Sequence, residues 1–216
     1  MKKSIGNAIA LYPTPLVVVG AMVNGKPDWV LAGHLGIMGH DRVMINLAQA
    51  HYTNISIRAQ KALSVNIVDK ALLPRADYVG TVSGSSKTDK SGVFSWYAEA
   101  GGAPLIDDAP ISMDCTVVDT YQTDGFDNFI CEIKGTYAEE SLLNGQGKPD
   151  YHRLKPVLFE MPTYEYLQTG DVLGKCMSFA KEARSKQEDD NHEKDADRAA
   201  FPDAAGDLRF CRKRDG

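Results

Sequence analysis

A polar stretch at residues 78–92 brings together the residue types that hold an anion. Two of its glycines, Gly84 and Gly92, allow backbone conformations that other residues avoid, and successive backbone N–H groups in such a loop can form an anion-binding concavity. Further donors come from hydroxyl and ammonium groups, which belong to Ser83, Ser85, Ser86, Lys87, Thr88 and Lys90. Clusters of serine, glycine, lysine and aspartate are also typical of a solvated surface loop. The stretch by itself therefore leaves both an anion loop and a surface loop open.

A second segment, residues 33–41, contains three glycines and two histidines. Glycine-rich turns after a strand allow the backbone to approach a ligand closely, and the alternative is a loose connection between two strands. The histidines, His34 and His40, stand six residues apart with no cysteine nearby, so the usual spacing of zinc ligands is missing. We therefore expect no metal site in this segment.

The bulk composition excludes several classes of protein. Of the 216 residues, 43% are apolar and 25% are charged, which is ordinary for a globular chain. The net charge of −5 gives no support to general nucleic-acid binding, and no apolar run approaches the roughly 20 residues that a membrane helix needs. The apolar run near the N-terminus is too short for a signal peptide and is interrupted by Tyr12-Pro13. We expect a cytoplasmic protein without nucleic-acid or membrane partners.

The four cysteines are widely spaced and form no CxxC pair. Neither a zinc site nor a thioredoxin-type redox motif is therefore indicated. Two of them, Cys115 and Cys131, fall in strand-like patterns, which predicts small buried side chains.

Short β-branched and alternating apolar runs dominate residues 16–167 and predict six to eight strands with only two short helices. Asn24-Gly25 between two such runs predicts a β-hairpin, and Thr53 or Asn54 is expected to cap the first helix. Residues 93–102 are predicted to form one or two helical turns, and residues 104–110 a loop. These features predict a mainly β protein with α+β character, a small antiparallel barrel with one or two helices packed outside.

The order of these features resembles the flavin reductase-like family, which includes the flavoredoxins and binds FMN in a split β-barrel. Four segments carry the resemblance: the hairpin with Asn24-Gly25-Lys26-Pro27 and Trp29, residues 33–41, His51-Tyr52-Thr53 with the helix and strand that follow, and Ser83-Gly84 followed by Asp89-Lys90. It covers about residues 10–181 and implies a split antiparallel β-barrel domain at residues 1–181. Residues 182–216 are dominated by charge, which predicts a disordered C-terminal tail.

The resemblance also implies a set of FMN-binding residues. Tyr52 and Thr53 would meet the FMN phosphate where the helix begins, because free N–H groups and the helix dipole favour an anion there. Across from them, Ser83, Gly84 and Lys90 would close over the phosphate. The family often has a basic residue at the position of Ala50; either His51 or Arg42 would substitute for it, or binding would be weaker. The isoalloxazine ring would lie along five consecutive residues, which are His34, Leu35, Gly36, Ile37 and Met38.

By the same resemblance, the protein is expected to be an FMN-dependent oxidoreductase with NADH or NADPH as hydride donor. Because the flavin carries the chemistry, we expect no side-chain nucleophile and no obligatory acid–base pair. Two alternatives stay open: a flavoredoxin-like electron carrier that is reduced by a redox protein partner and has no nicotinamide site, and a flavin-binding module that has lost redox work. The resemblance further implies a homodimer.

Overall fold

The structure is a computed structural model, and it describes residues 1–83 and 88–180. The chain divides into two compact units, Met1–Asp171 and Val172–Gly216. Predicted site residue Gly84 and the predicted disordered tail at 182–216 lie outside the described residues. None of the described helices is long and apolar enough to cross a membrane. All of the features below belong to the first unit.

The described part of the first unit is mostly β-structure with short helices. Its strands are β1 (Thr14–Pro15), β2 (Val17–Val23), β3 (Lys26–Ala32), β4 (Leu35–Ile37), β5 (Arg42–Ala48), β6 (Ala62–Ile67), β7 (Trp96–Ala98), β8 (Pro104–Ile106), β9 (Ile111–Thr123), β10 (Phe126–Ala138), β11 (Val157–Glu160) and β12 (Glu165–Gln168). Its helices are α1 (Thr53–Gln60), α2 (Leu73–Thr81), α3 (Tyr151–Leu154) and a 3-10 turn at Glu140–Leu142.

Seven strands form one antiparallel sheet in the order β3-β2-β6-β9-β10-β5-β4. The predicted hairpin joins β2 to β3, and its turn residues Asn24 and Gly25 take the positive φ angles of 50° and 78° that such a turn needs. A smaller sheet pairs β11 with β1 and β12, and β7 pairs with β8. The hairpin predicted at Asn24-Gly25 is confirmed.

Two hydrophobic clusters lie on opposite faces of this sheet, as the alternation along β2 shows. Val17 and Val19 belong to the inner cluster, which also receives residues from β3, β5, β6, β9 and β10, so the sheet curls around a shared core. Leu16 and Val18 belong to the outer cluster, which packs against α2 and β11. Helix α1 adds Ile57 to the inner cluster. The predicted split β-barrel fold is confirmed.

Three expectations from the sequence are wrong. Residues 93–102 do not form helical turns and residues 104–110 are not all loop: Trp96–Ala98 and Pro104–Ile106 pair as strands, because the chain reverses at Gly102, whose φ is 78°. The expected side-chain cap of α1 is also absent among the described residues. The amide of Asn54 donates to Ala48 O and Asp127, and the hydroxyl of Thr53 donates to Asp28. The side chains that the local sequence assigns to the helix cap therefore form hydrogen bonds with the buried carboxylates of Asp28 and Asp127 instead.

Candidate functional site

The beginning of α1 and the end of α2 enclose a cavity of about 330 Å³. Five of the predicted phosphate residues line it together: His51, Tyr52, Thr53, Ser83 and Lys90. The sequence separates these residues by up to 39 positions. They meet because α2 packs against β3, and because the Lys90 ammonium donates to Trp29 O on the same strand. The structure thus brings the two predicted anion-binding segments to one place.

The backbone at the start of α1 has free donors. Asn54 N–H donates to His51 O at 3.1 Å and Ile55 N–H donates to Tyr52 O at 3.2 Å. The preceding amides, those of Tyr52 and Thr53, donate to no acceptor among the described residues. Unpaired amides at a helix N-terminus carry partial positive charge, which favours an anion.

Beneath this helix start lies a buried ionic cluster. The hydroxyl of Thr53 donates to Asp28 Oδ2 at 2.5 Å, and the Lys90 ammonium lies 3.4 Å from Asp28 Oδ1. The same ammonium donates to the backbone oxygen of Trp29. Because Lys90 lines the cavity yet is engaged by two protein groups, its contact with a phosphate stays a prediction.

His51 is half-buried at the cavity wall. Its burial lowers the imidazole pKa, the nearby Lys90 charge lowers it further, and Asp28 opposes these effects. The imidazole is therefore neutral near pH 7 and offers a hydrogen bond, not a full positive charge, to a ligand. The protonated histidine that the sequence allowed as a substitute for the basic residue at Ala50 is disfavoured by this environment.

A second cavity of about 250 Å³ adjoins the first: Leu31, Gly80 and Thr81 line both. Its wall includes the aromatic residues Phe159, Tyr164 and Tyr166, next to Gly33. The two neighbouring cavities are treated together as a cleft, which has amide and hydroxyl donors at one end and aromatic rings at the other. From here on, this feature is called the cleft.

The aromatic end of the cleft was missed by the sequence reasoning. No ligand contact was predicted for residues 154–167, although Tyr164 and Tyr166 alternate with the polar residues Thr163 and Glu165. Phe159 lies opposite Tyr166 in the β11–β12 pair, with ring centroids 6.0 Å apart. The alternation of aromatic and polar residues in this segment was the sequence signal from which the aromatic end of the cleft could have been predicted.

The five predicted ring-binding residues do not line the cleft. His34 and Leu35 face a separate, mostly apolar cavity of about 410 Å³, where His34 Nε2 lies 2.7 Å from the hydroxyl of Tyr12. Residues 36–38 continue along the sheet edge, where Ile37 is 87% exposed. Of residues 33–41, only Gly33 lines the cleft. The contact of residues 34–38 with a ring stays a prediction.

Other chemistry receives no support from the described residues. No group of three or more histidine, cysteine or acidic side chains among them could hold a metal ion. Cys115 and Cys131 are fully buried, as predicted, and burial raises the pKa of both thiols, that of Cys131 to about 12. Both are therefore protonated near neutral pH and poor nucleophiles.

Residues 9–160 match the family described as flavin reductase like domain. A flavoredoxin structure from Methanosarcina acetivorans is 32% identical, with a TM-score of 0.79, over 85% of this chain and 99% of that one. The flavoredoxin of Desulfovibrio vulgaris (Miyazaki F) is 30% identical, with a TM-score of 0.76, over 82% of this chain and 98% of that one. Both share the curled sheet described above.

A curated relative, an uncharacterized protein of Aeropyrum pernix, is 26% identical over 148 residues. The matched region makes up 66% of this chain and 56% of that protein. The chain therefore spans little more than half the length of this relative.

Proposed function

Because the chain belongs to the flavin reductase-like domain family, we propose that it is an FMN-binding oxidoreductase that passes hydride from NADH or NADPH through bound flavin to an acceptor. The observation that carries the proposal is the cleft, in which a cavity lined by anion-binding groups lies next to a cavity lined by aromatic rings. FMN has the matching shape, a phosphate joined by a ribityl chain to a flat ring. Bound FMN would supply the redox chemistry, and the protein binds and orients it.

The residues of the cleft fit such a ligand. At one end, the backbone amides of Tyr52 and Thr53, which have no acceptor among the described residues, and the hydroxyl of Ser83 are donors for a phosphate. Neutral His51 adds a hydrogen bond. At the other end, Tyr164 and Tyr166 lie beside Phe159 and offer ring surfaces against which a flat heterocycle can pack.

Two measurements test this proposal. The flavin-free protein is titrated with FMN and with riboflavin, and we expect FMN to bind more tightly because only FMN reaches the amides of Tyr52 and Thr53 with a phosphate. The FMN-loaded protein is then mixed anaerobically with NADH or NADPH, and we expect loss of the visible flavin absorbance. Failure to bind either flavin would refute the proposal as a whole.

The second candidate is a flavoredoxin-like electron carrier without a nicotinamide site. The observation in its favour is that the two structures at 30% and 32% identity are both flavoredoxins. In that case neither nucleotide reduces the bound FMN, although dithionite does. If dithionite does not reversibly reduce the bound flavin either, the result would indicate the third alternative, a flavin-binding module without a redox function.

The homodimer stays a prediction of the resemblance. In its favour, the edge strand β4 and the residue after it expose large apolar side chains, with Ile37 87% and Met38 53% exposed. Sedimentation equilibrium of the FMN-loaded protein tests this association. A monomer at micromolar concentration would contradict it.

A further inference from the structure

We propose that Lys90 is a positioning residue, which acts on the anion end of the cleft through Asp28 and Thr53 and not by contact with the phosphate. The proposal rests on the FMN-binding function above. It adds the means by which the start of α1 is held in place, and it gives Lys90 a role different from the one that the family resemblance implies.

The first observation is the burial of the ion pair. The side chains of Lys90 and Asp28 are 3% and 8% exposed, so neither charge is solvated by bulk water. An ammonium group has three N–H donors, and here it donates to Trp29 O and faces Asp28 Oδ1. Both partners lie on β3, at consecutive positions. Lys90 therefore fastens the segment after α2 to this strand.

The second observation is the link from this pair to the helix. Asp28 uses its other oxygen, Oδ2, to accept from the hydroxyl of Thr53, which is 1% exposed and is the first residue of α1. One carboxylate thus joins Lys90 on one side to Thr53 on the other. The backbone amides of Tyr52 and Thr53 belong to the same turn of chain that the Thr53–Asp28 hydrogen bond holds in place. The ionic cluster therefore fixes the orientation of these amides.

The third argument concerns the cost of the alternative. For Lys90 to bind a phosphate directly, its third N–H must serve a second anion beside Asp28, or its ammonium must abandon Asp28. A carboxylate left buried without its cation is strongly unfavourable, and two anions on one buried ammonium repel each other. The backbone N–H groups of Tyr52 and Thr53 can donate to the phosphate without this rearrangement.

A neighbouring ion pair supplies the matched control. Lys26 Nζ lies 2.8 Å from Asp89 Oδ2, and these side chains are 67% and 56% exposed. Lys26 and Asp28 are two residues apart, and Asp89 and Lys90 are adjacent, so the two pairs join the same two segments. The exposed pair makes no described contact with Thr53.

The test measures the ratio of FMN affinity to riboflavin affinity, which isolates the phosphate contribution. Three variants are compared with the native protein: Thr53→Val, the apolar pair Asp28→Leu/Lys90→Met, and the three substitutions combined. Replacing both charges together keeps the net charge and avoids a lone buried ion, which favours folding. The thermal midpoint of each flavin-free variant reports whether it folds.

If Lys90 acts through Thr53, the ratio falls about tenfold in Thr53→Val and in the apolar pair, and the combined variant is no worse than either. Losses that multiply in the combined variant would show an independent contact of Lys90 with the phosphate and overturn the proposal. An unchanged ratio in a folded apolar-pair variant would also overturn it. Lys26→Met should leave the ratio as it is in the native protein.

The outcome for the native protein separates this inference from the proposed function. If the native chain binds FMN and riboflavin equally, the phosphate site itself fails. If the apolar pair does not fold, the neutral polar pair Asp28→Asn/Lys90→Gln, which also leaves no lone buried charge, is used in the same comparison with Thr53→Val. The same criteria then apply, namely equal and non-multiplying losses for positioning and multiplying losses for direct contact.

Discussion

Two lysine–aspartate pairs join the strand β3 region to the segment that follows α2, and burial is what separates them. Lys26 and Asp89 meet at 2.8 Å in solvent, whereas Lys90 and Asp28 lie 3.4 Å apart and are almost fully enclosed. The shorter pair is the weaker tie, because water screens exposed charges and long side chains lose entropy when they are held. Distance alone would have ranked the two pairs in the wrong order.

The pKa values of the two lysines shift in opposite directions, that of Lys26 upward and that of Lys90 downward. Asp89 raises the pKa of Lys26 through its hydrogen bond and its charge. For Lys90, burial lowers the pKa more than Asp28 raises it. The buried ammonium of Lys90 therefore depends on Asp28 and Trp29 O for its stabilisation as a cation. Removal of either charged partner leaves the other charge buried and destabilises the fold.

The largest expected effect is on the variant that breaks the buried pair. Lys90→Met leaves the Asp28 carboxylate enclosed without a cation, and we expect the flavin-free protein to lose about 3–5 kcal/mol of unfolding free energy. Urea unfolding followed by circular dichroism measures the change. A loss well below about 1 kcal/mol would mean that the pair is not buried in solution.

A third ion pair, half-buried, gives an intermediate effect. Arg58 and two amides, those of Asn54 and Gln122, donate to Asp127, whose side chain is fully buried. Burial opposes ionisation here, but these hydrogen bonds outweigh it and lower the pKa of Asp127. We expect Asp127→Asn to lose about 1.5–3 kcal/mol at neutral pH, since hydrogen bonds to a charged group are lost.

The same variant has a pH signature. A carboxyl whose pKa is lowered in the folded state stabilises the protein above its unfolded pKa of about 3.9, and that contribution is lost as the pH falls through the lowered folded pKa. The difference in stability between native protein and Asp127→Asn should therefore shrink on acidification below about pH 4. A difference independent of pH would exclude this carboxylate as the source.

The smallest expected effect belongs to the exposed pair. Lys26→Met removes the partner of Asp89, and both side chains remain in solvent, so we expect no measurable change in the unfolding free energy of the flavin-free protein. Parallel urea unfolding of Lys26→Met and Lys90→Met makes the comparison direct. Equal losses in the two variants would show that burial is not the deciding difference.

The sequence predicted most of the sheet because its signals are local. Asn24-Gly25 specifies a turn with positive φ, and the alternation along residues 111–121 specifies a strand with one buried face. The prediction of helical turns at residues 93–102 was wrong because the deciding contact is not local. Their apparent helical pattern is overridden by the pairing of Trp96–Ala98 with Pro104–Ile106, a contact that single-residue propensity does not contain.

The candidate site was predicted in part. Hydroxyl, glycine and lysine residues in one stretch indicate an anion, and the structure does bring Ser83 and Lys90 to the beginning of α1. The partners of each side chain were not predictable, because they come from distant strands. Thr53 was expected to cap its own helix, yet its hydroxyl donates to Asp28, which is 25 residues away.

The sequence by itself determined an antiparallel β protein, its main hairpins and the residue types of an anion-binding end, since turn chemistry and period-two alternation are properties of neighbouring residues. Only the tertiary structure decided that Lys90 is enclosed while Lys26 stays in solvent. The sequence shows the same two residue types in both pairs. What differs is the number of atoms that surround each pair, and that number follows from how β3, α1 and α2 pack, which no short segment encodes.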